Sequence, residues 1–379
     1  MNLLFENFRL PGNQRKPGEL YLSISDDRVV DISIYPPIKN IDKTINCEGC
    51  YLTPGLLDLQ LYGGGGTIFS TSFSKEDGKK IDQIHLKAGT TRYLITVPSL
   101  SHEHILKAIE GTKKLMADKN LECLGLHLEG PWFNPKKSGG HDSKVIRKPD
   151  LQKLKKIIKE GAGVIKLITL APEEFIQKDL EWLLTSGIPI AAGHSNATDH
   201  QARQFFDLGV RLSTHLFNAM SGMHHRDPGL ATATLNDDRV FSTIIADGHH
   251  VDYSMISLTH KLKKEKLLLI SDATFFGMKE ETTFYHGHKV TKRDGACFNQ
   301  EGRLMGSASS LLKGVQNLVR HVQIPIPEAL NMASIYPARF LGDLEHGQIA
   351  SGKIADILLL DEQLKIQRIY RAGQEVEFQ

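Results

Sequence analysis

In "GLHLEGPW" (125–132) a carboxylate, Glu129, closes an alternating apolar run just before Gly130-Pro131. A carboxylate at the end of a buried strand is costly unless it is paired or binds a metal. The pattern recurs: "IPIAAGH" (188–194) ends in His194, "RLSTH" (211–215) in His215, and "KLLLISD" (266–272) in Asp272. "FSTIIAD" (241–247) ends in Asp247, with His249 and His250 just after it. Two imidazoles and a carboxylate are a common ligand set for zinc and related divalent ions. Such an ion with an open position lowers the pKa of its water towards neutrality. Asp272 is then the natural general base, removing a proton from that water and later protonating the leaving group. Each residue also has a plainer reading. His194 could cap the next helix or donate to a backbone carbonyl, Asp272 could be an N-cap, and Glu129 could pair with a lysine. The conjunction decides for a metal-dependent hydrolase, because all of them fall where strands end.

The elements that must position these residues follow from periodicity. Apolar runs such as "RYLITV" (92–97), "CLGLHLE" (123–129) and "VIKLIT" (164–169) precede or join those above, and helical stretches such as 148–160 and 177–186 lie between some of them. Continuous apolar strands with helices between them imply a parallel sheet. At least seven such strands predict an eight-stranded α/β barrel of about 250 residues with insertions. The chemistry of such barrels sits where the strands end. The ends of the chain read differently: "ELYLSI" (19–24), "RVVDISIY" (28–35), "ADILLLD" (355–361) and "KIQRIYRAGQEVEF" (365–378) have strand composition and turn signals. Residues 1–53 and 345–379 are therefore expected to form a small second domain, and 54–344 the barrel.

The 379 residues carry a net charge of +2, so neither a basic stripe for nucleic acid nor an acidic tail is present. The apolar runs are too short to span a membrane, and "MNLLFENFRLPGNQ" lacks the layout of a signal peptide. A cytoplasmic location is expected. Cys47 and Cys50 form a CxxC with no second pair to complete a zinc site, and free thiols in a strand and turn are expected. "YGGGGT" (62–67) could offer backbone amides to an anion or simply turn the chain.

Eight stretches resemble the amidohydrolases: "PGLLDLQLYGGGG" (54–66), "GLHLEGPWFNPKKSGGHD" (125–142), "AAGHSNAT" (191–198), "THLFNAMSG" (214–222), "RDPGL" (226–230), "ADGHHVD" (246–252), "ISDAT" (270–274) and "GQIASGKIADILLLD" (347–361). The last is typical of the wider superfamily. The HLEGP, GHS, THLFNAM and DGxHV set is more specific, and resembles the branch that deacetylates 6-phosphorylated amino sugars. The resemblance implies a (β/α)8 barrel with a small β-sandwich built from both termini. It implies one divalent metal per subunit, zinc with iron, cobalt or manganese as alternatives, held by Glu129, His194 and His215. The implied reaction is hydrolysis of the acetamide of N-acetylglucosamine 6-phosphate in amino-sugar catabolism, with Asp272 as the base and His141 polarising the carbonyl. Arg226, His250, Asn218 and the Ala219 backbone are implied phosphate or substrate contacts, and a homodimer is the implied assembly. Many amidohydrolases carry His-x-His at the end of the first barrel strand, where this chain reads Gln60-Leu61-Tyr62. Gln is a weak neutral ligand and Tyr needs a strongly lowered pKa to ligate, so Gln60 marks a vestigial second-metal position. Alternatives are another amidohydrolase acting on a cyclic amide or a different N-acyl compound, the galacto epimer as substrate, and a barrel that has lost catalysis. The last would show loss of Asp272 or of the ligands, and all are present.

Overall fold

A strand buried at every position needs cover on both faces, and a parallel sheet sheathed in helices supplies it. In the computed structural model, which describes residues 1–37, 40–279, 282–285, 288–293 and 295–377, Leu56–Leu61 (β1) and Thr90–Val97 (β2) are buried throughout. Cys123–Glu129 (β3), Ile165–Leu170 (β4), Ile190–Ala192 (β5), Leu212–Ser213 (β6), Phe241–Ile245 (β7) and Leu267–Ile270 (β8) join them. The eight lie in sequence order in one sheet, and every pairing from β2 to β8 is parallel. Leu61 and Ala273 form a parallel bridge, so the two edge strands approach each other and the sheet nearly closes into a (β/α)8 barrel.

The expected helices appear with shifted ends. The first runs Leu151–Glu160 rather than from 148, because the Asp150 carboxylate accepts the backbone N–H of Gln152 and Lys153 and so fixes the start. The second runs Gln177–Leu184. It stops short of 186, where the Thr185 hydroxyl turns back onto the Trp182 carbonyl at 2.6 Å. β5 and β6 are also shorter than their apolar runs. The chain leaves extended geometry at His194 (φ 48°) and His215 (φ 29°), and a left-handed residue ends a strand.

Contacts divide the chain into two units, Leu59–Ile84 with Tyr93–Ser310, and Met1–Asp58 with His85–Arg92 and Leu311–Gln379. The first holds an insertion absent from the sequence expectation: Thr282–Tyr285, His288–Arg293, Ala296–Asn299 and Leu304–Ser307 form a four-stranded antiparallel sheet. Phe275, Met278, Tyr285, Val290, Cys297 and Met305 form its buried cluster. The second unit holds two four-stranded sheets drawn from both ends of the chain. Leu3, Phe5, Leu22 and Ile24 from one, and Leu52, Ile357, Leu359 and Tyr370 from the other, share one buried cluster, which makes a small β-sandwich. The terminal run reaches Glu375 in strand form, and residue 378 lies outside the described residues. All four cysteines are free, and burial pushes the Cys47 thiol up to about 12. Among the described residues no helix is long and apolar enough to cross a membrane.

Candidate metal centre

Glu129, the last residue of β3, is 1% exposed and receives polar groups from several neighbouring strand ends. Its Oε1 lies 3.1 Å from His215 Nε2 and 3.4 Å from His194 Nε2, and these two ring nitrogens are 3.1 Å apart. His194 Nδ1 meets the Lys137 carbonyl at 2.9 Å. A carbonyl only accepts, so Nδ1 carries the hydrogen and the Nε2 lone pair faces inward. Burial pushes the His194 imidazole down to about 4, which keeps it neutral. For His215, burial acts downward, but hydrogen bonding and charge pairing with Glu129 raise it on balance. Burial alone would raise the Glu129 carboxyl, yet the imidazoles of His141, His194 and His215 hold it well below the usual range. Two ring nitrogens and an ionised carboxylate gathered within this distance suit a divalent cation.

A second grouping shares part of this set: Glu129, His141 and His194 each place a ligating atom within 4.8 Å of the others. The surroundings of His141 give it another role. The Ser99 backbone N–H donates to His141 Nδ1 at 3.0 Å. Nδ1 is therefore an acceptor, so the ring hydrogen sits on Nε2, which points at Glu129 Oε2 from 3.1 Å. A ring with its hydrogen on the inward nitrogen is a donor, not a ligand. Ser99, whose Oγ is also 3.1 Å from that ring, was not foreseen from sequence, and its type and spacing carried no signal.

Gln60 turns its amide nitrogen to Glu129 Oε1 (2.9 Å), Asp272 Oδ1 (2.8 Å) and the Tyr62 hydroxyl (2.8 Å), while its oxygen accepts from Thr214 (2.9 Å). The atom that could ligate a second metal therefore faces Thr214. Tyr62 donates to Glu129 Oε2. Burial and the Glu129 charge raise its phenol well above the ordinary value, so it stays a donor. Asp272 sits at φ 53°, two residues past β8 and far from any helix start, which removes the N-cap reading.

Glu129, His141, His194, His215, Asn218, Ala219, His250 and Asp272 all line one cavity of about 240 Å3. His250 Nδ1 lies 2.7 Å from Asp247 Oδ2. Burial acts to lower this imidazole, but the hydrogen bond and charge of Asp247 outweigh it and raise the value. His249 is exposed. Arg226 is not brought to the cavity of its own chain: it is exposed and lines a separate cleft with Thr198, Asp199 and Ser221. The neighbouring Asp227 contacts His224. The glycine run is a tight hairpin in which Gly63–Gly64 pairs with Thr67–Ile68. The N–H groups of Gly63 and Gly65 bond to the carbonyls of Ala273 and Phe276, so the run turns the chain and those amides are not open to an anion. Sequence reading missed the wall supplied by the insertion, Tyr285, Leu304, Met305 and Gly306. The signal was present as a D-G dipeptide between two alternating runs.

Residues 51–376 match the profile of the amidohydrolase family. The chain is 33% identical over 320 residues to the N-acetylglucosamine-6-phosphate deacetylase of Haemophilus influenzae, covering 83% of this chain and 84% of that protein. It is 32% identical over 333 residues to the N-acetylgalactosamine-6-phosphate deacetylase of Escherichia coli O157:H7, covering 86% of this chain and 88% of the relative. The crystal structure of N-acetylglucosamine-6-phosphate deacetylase from Pasteurella multocida superposes with a TM-score of 0.93 at 33% identity, over 99% of this chain and 100% of that one.

Proposed function

The chain belongs to the amidohydrolase family, and we propose that it hydrolyses the acetamide of N-acetylglucosamine 6-phosphate to glucosamine 6-phosphate and acetate, in the cytoplasm, in amino-sugar catabolism. The observation that carries this reading is the convergence of Glu129, His194 and His215 on one point, with Asp272 and His141 lining the same cavity. A divalent ion held by the first three, zinc in this reading with iron, cobalt and manganese suited to the same donors, would polarise the acetyl carbonyl and acidify a water. Asp272, steadied by the Gln60 amide at 2.8 Å, takes the proton of the attacking water and delivers it to the departing amine. His141 donates from Nε2 to the carbonyl oxygen as that oxygen gains charge. His250, braced by Asp247, and the Asn218-Ala219 segment receive the 6-phosphate end of the sugar. Arg226 is the further phosphate contact, and its exposed place outside the cavity fits a contact made across a homodimer.

The test is acetate release by metal-loaded and chelator-stripped enzyme on three substrates: N-acetylglucosamine 6-phosphate, its galacto epimer, and the unphosphorylated sugar. The reading expects metal-dependent turnover of the first and little of the third. The epimer is the second candidate substrate, given the relative of 32% identity that acts on it. No acetate from any phosphorylated sugar would remove the reading. Arg226→Ala and His250→Ala should each raise KM for the phosphorylated sugar, since truncating one partner of a buried charged contact costs about 2–5 kcal/mol. They should leave the unphosphorylated sugar nearly unaffected. Light scattering on the wild type reads the proposed dimer.

A further inference from the structure

The ring of His194 is held from behind by a closed set of bonds. Its Nδ1 meets the Lys137 carbonyl at 2.9 Å. Lys137 ends the short turn Pro135–Lys137, capped by Asn134, whose side-chain oxygen accepts from the Lys136 N–H at 3.1 Å. The Asn134 backbone N–H in turn donates to the His194 carbonyl at 3.0 Å. Glu173, three residues past the end of β4, joins both sides of this arrangement. Its Oε1 accepts from the Asn196 N–H at 2.7 Å and from the Asn134 amide at 3.3 Å, and its Oε2 accepts from the Ser195 hydroxyl at 2.8 Å. Glu173 thus ties down the segment that carries His194, and it shares with Glu174, whose Oε1 accepts from the same Asn134 amide at 2.8 Å, the hold on the turn whose carbonyl meets the ring. Phe133, beside Asn134, stacks on the same imidazole at 4.2 Å between centroids.

We infer that Glu173 is a positioning residue of the metal centre: it fixes the direction and tautomer of His194 so that Nε2 faces Glu129. The inference rests on the reading of Glu129, His194 and His215 as a metal site. The need for such a brace is physical. His194 adopts φ 48°, a backbone region that a non-glycine residue occupies only when its surroundings hold it there. The first carbonyl beyond the ring lies on a separate loop, so tautomer and loop must be fixed together. A carboxylate serves because it only accepts, and the three groups around it all donate. Partners that orient a metal-ligating histidine through its second nitrogen typically change metal affinity by about 10–100-fold when removed.

The experiment uses chelator-stripped full-length protein. Zinc affinity is read by competition with a chromophoric chelator, and coordination geometry from the visible spectrum of the cobalt form. Glu173 acts one step further out than the Lys137 carbonyl, so Glu173→Ala should bind zinc about 10-fold more weakly, the lower end of that range, and shift the cobalt bands, while the thermal midpoint of its metal-free form stays close to wild type. Glu173→Gln, which keeps one acceptor oxygen, should restore part of the affinity. A folded Glu173→Ala with wild-type zinc affinity and cobalt spectrum overturns the inference. If that variant does not fold, Ser195→Ala, which removes one hydroxyl from the brace, carries the test: weaker zinc binding supports the inference and unchanged binding overturns it. Wild-type protein that takes up no metal would instead remove the metal-centre reading itself.

Discussion

His194, His215 and Asp272 all sit at left-handed φ, 48°, 29° and 53°. Each such placement of a non-glycine residue costs of the order of 1–3 kcal/mol and persists where function requires the side-chain direction. The strain points each side chain into the cavity immediately after its strand ends. Asp272→Asn keeps the volume and much of the hydrogen bonding but removes proton exchange, so kcat should fall by at least about 10²-fold with KM little changed and the metal retained. A variant that keeps more than about a tenth of kcat, far short of that loss, would move the role of base to another residue. The Gln60 and Tyr62 side chains make a second prediction. The Gln60 oxygen is engaged by Thr214 and the Tyr62 phenol donates to Glu129, so neither side chain is turned to hold a second ion at the end of β1. Elemental analysis should therefore give one tightly held metal per chain, and two at saturation would contradict this account.

At the scale of elements, the helices that sheathe the barrel are tied down by side chains as well as by apolar faces. Lys263, the last residue of the helix Tyr253–Lys263, is 4% exposed. Its amine donates to the carbonyls of Thr234 (2.9 Å) and Asp237 (2.8 Å) at the end of the helix Leu230–Asn236. Burial pushes this amine from 10.5 down to about 8. Between those two values the unfolded chain holds a proton that the folded chain has released, so the stability contributed by Lys263 rises with pH through that window. The neutral amine still has hydrogens for both carbonyls. Urea unfolding of wild type and Lys263→Met should therefore show a stability difference that grows in favour of wild type from pH 7 to about pH 10, above the lowered value; a difference independent of pH would mean that the amine is not held in this way. The insertion 282–307 belongs to the same scale. Its strands contribute Tyr285, Leu304 and Met305 to the cavity wall, so the barrel loops alone do not enclose the substrate.

For the whole molecule, metal and stability are linked. An ion that binds only the folded chain adds about 2.7 kcal/mol at a hundred times its Kd, worth several degrees of Tm in a chain of this size. Zinc added to stripped protein should raise Tm by that much. Glu129→Ala should abolish the shift, because two neutral imidazoles lack the charge a carboxylate supplies, and a zinc-dependent shift that survives in this variant would remove Glu129 from the ligand set. The alternation of buried runs with helices was enough to read the barrel, because a strand covered on both faces is apolar over most of its length, as "KLLLI" (266–270) is after its first residue. The ends of those runs likewise disclosed Glu129, His194, His215 and Asp272, since a polar residue closing an apolar strand stands out by type and place. Three things were decided only in space. Which ring turns a lone pair inward and which turns a hydrogen inward depends on Lys137 and Ser99, dozens of residues from the rings they orient. The closing of the second-metal position depends on how one amide turns between Thr214 and two carboxylates. Arg226, marked by its motif, lies outside the cavity, because local sequence fixes the residue type and the local turn, whereas the direction and reach of a side chain are set by contacts with strands and loops distant in the chain.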